Sequence, residues 1–520
     1  MPGPLIVTVE PWGPTHEAMQ AAADKAVRQT TAGAALEGVA ARLVGVQLLD
    51  AGPEPESPGR VRATVYDYNA EHALVVEAPL DGTAAPVSHS TSRQPLPSPE
   101  EREAALAVLR DDPDLGPKLT AGDLEPYRPM PPLAGTERPD GTVERAIAVG
   151  LRPTNDGPGH EIVAVHLGRR EVIRFDGGAP PTALATATHC GVQNANQPTV
   201  TNRAGAARIV VKQDGVTLWS LIAVRPAASS GAAGSAVELR DVTYRGTRVL
   251  RRAHVPILNV RYDGDACGPY RDWQNEESKF QAHGAGVAPG FRLCPQPATT
   301  VLDTGSDLGN FAGVAVYVDG NEVVLVSELE AGWYRYVSTW RLHADGTIRP
   351  RFGFGAVQDS CVCNTHHHHA YWRLDFDIAG AGDDAVYEHN DPPLPGQATT
   401  WHQLAHEIRR KRNSASKRRW RVRNRATRQG YVLTPGSHDG KADSYGVGDF
   451  WALRYRSDQL DDSAVATSTK ARIDSFVNGG SIAGTNVVVW YAAHFTHDVA
   501  HEHAGHGTHI VGPTIRPDHW

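Results

Sequence analysis

Residues 365–380 read THHHHAYWRLDFDIAG, four consecutive histidines running into an alternating apolar and polar segment. Alternation of this kind marks a β-strand, in which every second side chain shares a face. His366 and His368 therefore project together, while His367 and His369 point the other way. Two imidazoles on one face can chelate one ion. Imidazole suits Cu, Zn, Ni or Fe, and copper leads the Irving–Williams order among the divalent ions of this group. The run is internal rather than a terminal purification tag; a surface histidine cluster is the alternative reading.

Outward from this strand the same grammar recurs. EIVAVHLG, ARIVVKQDG, VAVYVDGNEVVLVSELE and TNVVVWYAAHF carry β-branched or aromatic residues between Asp-Gly and Asn-Gly turns. The 51 Gly and 37 Pro in 520 residues, with few helix-forming stretches, also favour short strands joined by turns, so a mainly β core is expected. No short internal repeat points to a propeller or solenoid.

The N-terminal part differs. Residues 15–45 are alanine-rich with helical spacing, and VGVQLLDAG, RVRATVYDYN and HALVVEAPL follow as strands. Ser98-Pro99 before an acidic turn starts a second helix, which ends at Asp-Pro and Gly signals. These features predict a small α+β domain over 1–125. A Pro/Gly-rich linker is expected over 126–142 and a β-domain over 143–520.

The net charge of -8 argues against nucleic-acid binding by the chain as a whole. The basic run RRKRNSASKRRWRVRNRATR at 409–428 lacks regular aromatic interleaving and reads as a solvated segment rather than a phosphate-binding patch. There is no signal-like N-terminus and no apolar run of about 18 residues, which leaves secretion and membrane spanning without support. Five cysteines, an odd number, do not make a disulfide framework, and a cytoplasmic location is expected. Cys361 and Cys363, just ahead of the histidines, read either as buried strand residues or as soft thiolate ligands.

A third metal ligand has many candidates: His494, His497, His501, His503, His506 and His509 crowd the C-terminal segment. Composition does not choose among them. Several strings do. HHH ahead of AYWRLDFD matches an HxH motif before Arg-Leu-Asp-x-Asp, and VVW at 488–490 is followed by Thr496, His497 and Glu502. VELRDVTYRGTRVLRRAHVPILNVRY, DWQN at 272–275, LHADGTI and FWALRYRSDQL add to these, in the same order. Over residues 140–520 the chain resembles the copper-containing amine oxidases, whose catalytic domain is a large β-sandwich. The N-terminal domain resembles the small α+β domain that precedes it.

The resemblance implies copper held by His366, His368 and His497, and topaquinone made from a tyrosine that matches Tyr334. Trp333 and Arg335 stand where the family has Asn and an acidic residue. Tyr262 matches the tyrosine that hydrogen-bonds the quinone. The catalytic aspartate is missing: one alignment puts Ser278 there, another Glu276, with Glu277 beside it. A peripheral metal site, suited to calcium, would use Asp375 and Asp377 with Asn486 in place of a third carboxylate.

The implied activity is O2-dependent oxidation of a primary amine to an aldehyde, with release of ammonia and H2O2, in a homodimer. Loss of the residues flanking Tyr334 and of the base supports an alternative, a topaquinone-free copper oxidase or oxygenase acting on a specialised small molecule or peptide. A third reading is a non-catalytic copper-binding homologue.

Overall fold

Alanine-rich sequence gives way to alternating sequence, and the chain changes structure with it. Strand β1 (Ile6–Pro11) leads to helix α1 (His16–Arg28), whose N-cap Thr15 accepts a hydrogen bond from the Ala18 amide at 3.2 Å. Beyond the helix, β2 (Ala41–Asp50), β3 (Pro58–Asp67), β4 (His72–Pro79) and β5 (Val87–Thr91) form an antiparallel meander, and Ala23, Ala26 and Val27 of α1 pack on it. The computed structural model describes residues 2–30, 41–50, 58–91, 94–129, 133, 136–137, 143–154, 161–174, 190–201, 203–231, 234–263, 270–462, 470–498 and 509–520.

Ser98 starts α2 (Pro99–Asp111) with a capping box: its hydroxyl accepts from the Glu101 amide and the Glu101 carboxylate accepts from the Ser98 amide. Next come α3 (Leu115–Ala121) and the sheet of β6 (Leu124–Tyr127), β7 (Ile147–Pro153), β8 (Glu161–His166) and β9 (Glu171–Ile173).

Two strand pairings cross the boundaries expected from sequence. Strand β1 belongs to the large sheet, pairing with Ala206–Gln213. Because β6 pairs with β7, the Pro/Gly-rich stretch at 126–142 lies between two neighbouring strands of one four-stranded sheet. Its residues 130–132, 134–135 and 138–142 lie outside the described part. Both pairings span long sequence separations, which local composition does not encode.

Arg145 ties the two α+β units together. Its guanidinium donates to both oxygens of Glu101 at 2.7 and 2.8 Å and to the Pro95 carbonyl, and the Tyr68 hydroxyl donates to the same carboxylate. Burial opposes ionisation of Glu101, yet the facing Arg145 keeps its carboxyl below the ordinary range.

The main body is a sandwich. One ten-stranded sheet contains β10 (Ala206–Gln213), β11 (Val216–Val224), β12 (Glu238–Tyr244) and β13 (Thr247–Tyr262). The facing fourteen-stranded sheet contains β14 (Glu322–Ala331), β15 (Tyr334–His343) and β16 (Ile348–Ala356). The first sheet continues with β17 (His366–Phe376), β18 (Phe450–Arg454) and β19 (Val487–His497), in the order β13-β17-β19-β18. Trp219, Trp340, Phe352, Trp372 and Tyr491 fill the shared core. On its outer face the first sheet carries a smaller cluster, including Tyr371, Trp451 and Trp490, beneath the turn Ile473–Phe476. The central strands are thus buried on both faces, which explains their near-continuous apolar sequence.

The basic run at 409–428 is spent on ion pairs: Arg410 and Arg418 on Glu388, Lys417 on Asp391, Arg421 on Asp518 and Arg425 on Asp383. No helix among the described residues is long and apolar enough to cross a membrane. The cysteines correct one expectation. Cys190 and Cys363 form a disulfide across 173 residues and Cys361 is disulfide-bonded too, so neither Cys361 nor Cys363 offers a thiolate. This removes the cysteine argument for a cytoplasmic location, because disulfides persist in oxidising compartments. Cys294 is a buried free thiol, and Cys267 lies outside the described residues.

Removing Arg145 leaves Glu101 buried without its cation. We expect Arg145→Ala to lower the unfolding free energy by about 3–5 kcal/mol in a urea titration, and a loss below about 1 kcal/mol would refute this role.

Candidate functional site

The register of three antiparallel strands builds the site. On β17, His366 sits directly opposite Tyr262 of β13 on one side and opposite His497 of β19 on the other. Directly paired residues point to the same face, so Tyr262, His366 and His497 form one row across the sheet. His368 lies two residues along β17 and faces the same interior. Strand β15 of the opposite sheet brings Tyr334 and Tyr336 down onto this row.

The other two histidines take the outer face, as the alternation requires. His367 contacts the Thr496 hydroxyl at 3.0 Å and Asp263 at 3.1 Å. His369 and His494 meet at 2.6 Å through their Nδ1 atoms.

Inside, the His366 Nδ1–H donates to the Asn364 carbonyl at 2.6 Å, which fixes the tautomer and turns the Nε2 lone pair inward. That single lone pair is contested. The Tyr334 hydroxyl approaches it at 2.5 Å and His497 Nδ1 at 2.8 Å. His368 is fully buried, its Nδ1 lies 3.4 Å from the Tyr336 hydroxyl, and its Nε2 has no hydrogen-bond partner. Burial, then the neighbouring imidazoles, push the pKa values of His366 and His368 well below that of free histidine, so both rings are neutral with lone pairs to give.

Ring centroids are 4.5 Å apart for His366 and His497, and 4.9 Å apart for His366 and His368. Among the described residues no three ligating groups already close around one point; the rings lean on one another instead. A buried lone pair sought by two donors, beside another with none, fits an ion that would take the place of those contacts.

Around Tyr334 the surroundings are aromatic. Tyr336 stacks on it at 5.1 Å and 12°. The Tyr262 hydroxyl donates to the Tyr334 hydroxyl at 3.2 Å, and the Trp333 indole N–H donates to Tyr262 at 3.0 Å. Burial keeps Tyr262 and Tyr336 protonated, well above the ordinary tyrosine range. Arg335 points to the other face of β15, where its guanidinium binds Asp307 at 2.6 Å.

The candidate bases lie apart from this cluster in their bonding. Glu276 is ion-paired with buried Arg128, and Glu277 with Arg225. The Ser278 amide donates to the Glu328 carbonyl at 2.9 Å. A carboxylate that the sequence comparison passed over does reach the cluster. Asp272 accepts a hydrogen bond from the Tyr336 hydroxyl, and burial raises its pKa to about 7. Its only sequence signal is its place in DWQN, ten residues after Tyr262.

Asp377 binds Arg248 at 3.0 Å and Asp375 lies 3.7 Å from Arg373, while one oxygen of each, and the Asn486 side-chain oxygen, are buried without a partner. His501, His503, His506 and Glu502 lie outside the described residues. His509 is buried, its ring 5.0 Å from that of His497. A cleft of about 720 Å3 lies elsewhere, between β2 and the main body, lined by residues such as Val46, Arg62, His89 and Leu460. None of Tyr262, Tyr334, His366, His368 and His497 lines it.

No family model and no curated protein matches the chain. Solved structures do. It is similar to the copper-containing benzylamine oxidase of Hansenula polymorpha, with 11% identity over 98% of each chain and a TM-score of 0.63. It is also similar to the Aspergillus nidulans amine oxidase, with 13% identity over 100% of this chain and 90% of that one, TM-score 0.57. For the Pichia pastoris lysyl oxidase the values are 10%, 92%, 85% and 0.52. The chain has the copper amine oxidase fold: a mainly β sandwich preceded by smaller α+β units, in a divergent sequence.

Glu328 provides a pH test of the buried frame behind Ser278. Burial lifts its carboxyl to about 8 from 4.5. A raised folded pKa means that the folded state binds the proton more tightly. The contribution is therefore complete below the unfolded value and lost as pH rises through about 8. Unfolding midpoints should fall between about pH 5 and 8, and Glu328→Gln should flatten that fall. An unchanged slope in the variant would contradict the assignment.

Proposed function

We propose that the protein is a copper-dependent oxidoreductase, its metal held by His366, His368 and His497. Its reaction is conversion of a primary amine, O2 and water into an aldehyde, ammonia and H2O2. The observation that carries this reading is the row of Tyr262, His366 and His497 with the Tyr334 hydroxyl against the His366 lone pair. A metal held by His366 would stand beside the phenol of Tyr334. When bound, copper supplies one-electron chemistry with O2, and a quinone derived from Tyr334 supplies an electrophilic carbonyl for the amine.

The chain's own residues orient and enclose. Asn364 holds His366 through its carbonyl, Tyr336 confines the plane of the Tyr334 ring, and Trp333 fixes Tyr262 as a donor to the Tyr334 oxygen. Asp272, raised to about 7, can hold or release a proton near neutral pH at the Tyr336 hydroxyl. Glu276 is committed to Arg128, which makes Asp272 the better base of the two. In keeping with the resemblance, a homodimer is the expected assembly, and calcium is the ion suited to Asp375, Asp377 and Asn486.

A second reading rests on Trp333. Its indole replaces an amide next to Tyr334 and is bonded to Tyr262, which favours an unmodified Tyr334 in a topaquinone-free copper oxidase or oxygenase.

Copper loading in air should produce a visible chromophore that phenylhydrazine captures on the Tyr334 peptide, and Tyr334→Phe should lose the adduct while keeping the metal. Oxygen uptake that survives Tyr334→Phe but not His368→Ala would select the second reading.

A further inference from the structure

The three proposed ligands come from two strands, but a fourth imidazole lies beside them. His509 is 3% exposed, and its ring centroid is 5.0 Å from that of His497, at an interplanar angle of 72°. This separation matches the 4.9 Å between His368 and His366. The spacing has a physical meaning. An imidazole nitrogen binds a transition metal at about 2.0–2.1 Å, which puts the ring centroid about 3.2 Å from the ion, so two rings about 90–110° apart on one ion stand roughly 4.5–5.2 Å from each other. All three neighbouring pairs, His368–His366, His366–His497 and His497–His509, fall in that interval.

The backbone holds His509 in place. Its carbonyl accepts from the Phe354 amide at 3.0 Å, and the next two residues, Ile510 and Val511, pair with Gly353 and Phe352 of β16. Phe495, between the rows of histidines, packs edge-on against its ring at 5.4 Å. The ring is thus delivered from the opposite sheet, on the same side as Phe354.

We propose that His509 is a fourth imidazole ligand of the metal, making a site of four histidines in place of three. This rests on the copper reading above. A fourth nitrogen donor would add to the preference for copper that imidazole ligands already give.

The test is to count imidazoles by pulsed electron paramagnetic resonance on the full chain loaded with one equivalent of Cu(II). Four coordinated imidazoles are expected in the unaltered protein and three in His509→Gln, with copper affinity lowered by at least about tenfold. Three imidazoles in the unaltered protein, a count that needs no variant, would overturn the fourth ligand while leaving the copper site standing. Copper that does not bind, or a signal insensitive to His368→Ala, would overturn both.

Discussion

The site depends on strand register. His366 is opposite Tyr262 and opposite His497 at once, and a slip of one residue in either pairing would send the partner's side chain to the other face of the sheet. Register here is held by burial on both faces: Trp372, Leu374 and Phe376 lock β17 into the shared core while Tyr371 locks it into the outer cluster. The same pairing then determines which histidines meet inside, which tyrosine reaches them, and which two, His367 and His369, are left to the outer face.

On that frame the polar groups are arranged around neutral rings. Desolvation keeps His366 and His368 uncharged and Tyr262 and Tyr336 protonated, so these four groups bring lone pairs and O–H donors to the interior. Asn364 sets one ring through a carbonyl and Tyr336 touches another, itself held by Asp272. Such outer contacts orient ligands and tune the ion that they hold. Beside Tyr334 on β15, the Trp333 indole donates to Tyr262 and Arg335 turns to the other face of the strand, toward Asp307.

Much of this was legible in the sequence, and what was not has a common cause. Alternation after THHHH placed His366 and His368 on one face without any structure, and the capping residue Ser98 marked its helix. His497 could be picked from six histidines only through resemblance, because cross-strand register is not a local property. Asp272 reaches the cluster through Tyr336 on the opposite sheet, a contact that spacing along the chain does not reveal. The pairing of β1 with β10 and the Cys190–Cys363 disulfide span about 200 and 173 residues and left no local trace. The pairing of β6 with β7 across residues 126–142 was illegible for the same reason, since proline and glycine mark a turn equally well between domains and between paired strands.

The proposed site puts one copper ion among His366, His368 and His497. Anomalous diffraction from crystals of the copper-loaded protein, collected on both sides of the copper edge, locates it. A single strong peak bounded by those three rings and within reach of Tyr334 is expected. A copper peak elsewhere, for instance between His369 and His494 on the outer face, with none at the inner site would contradict it.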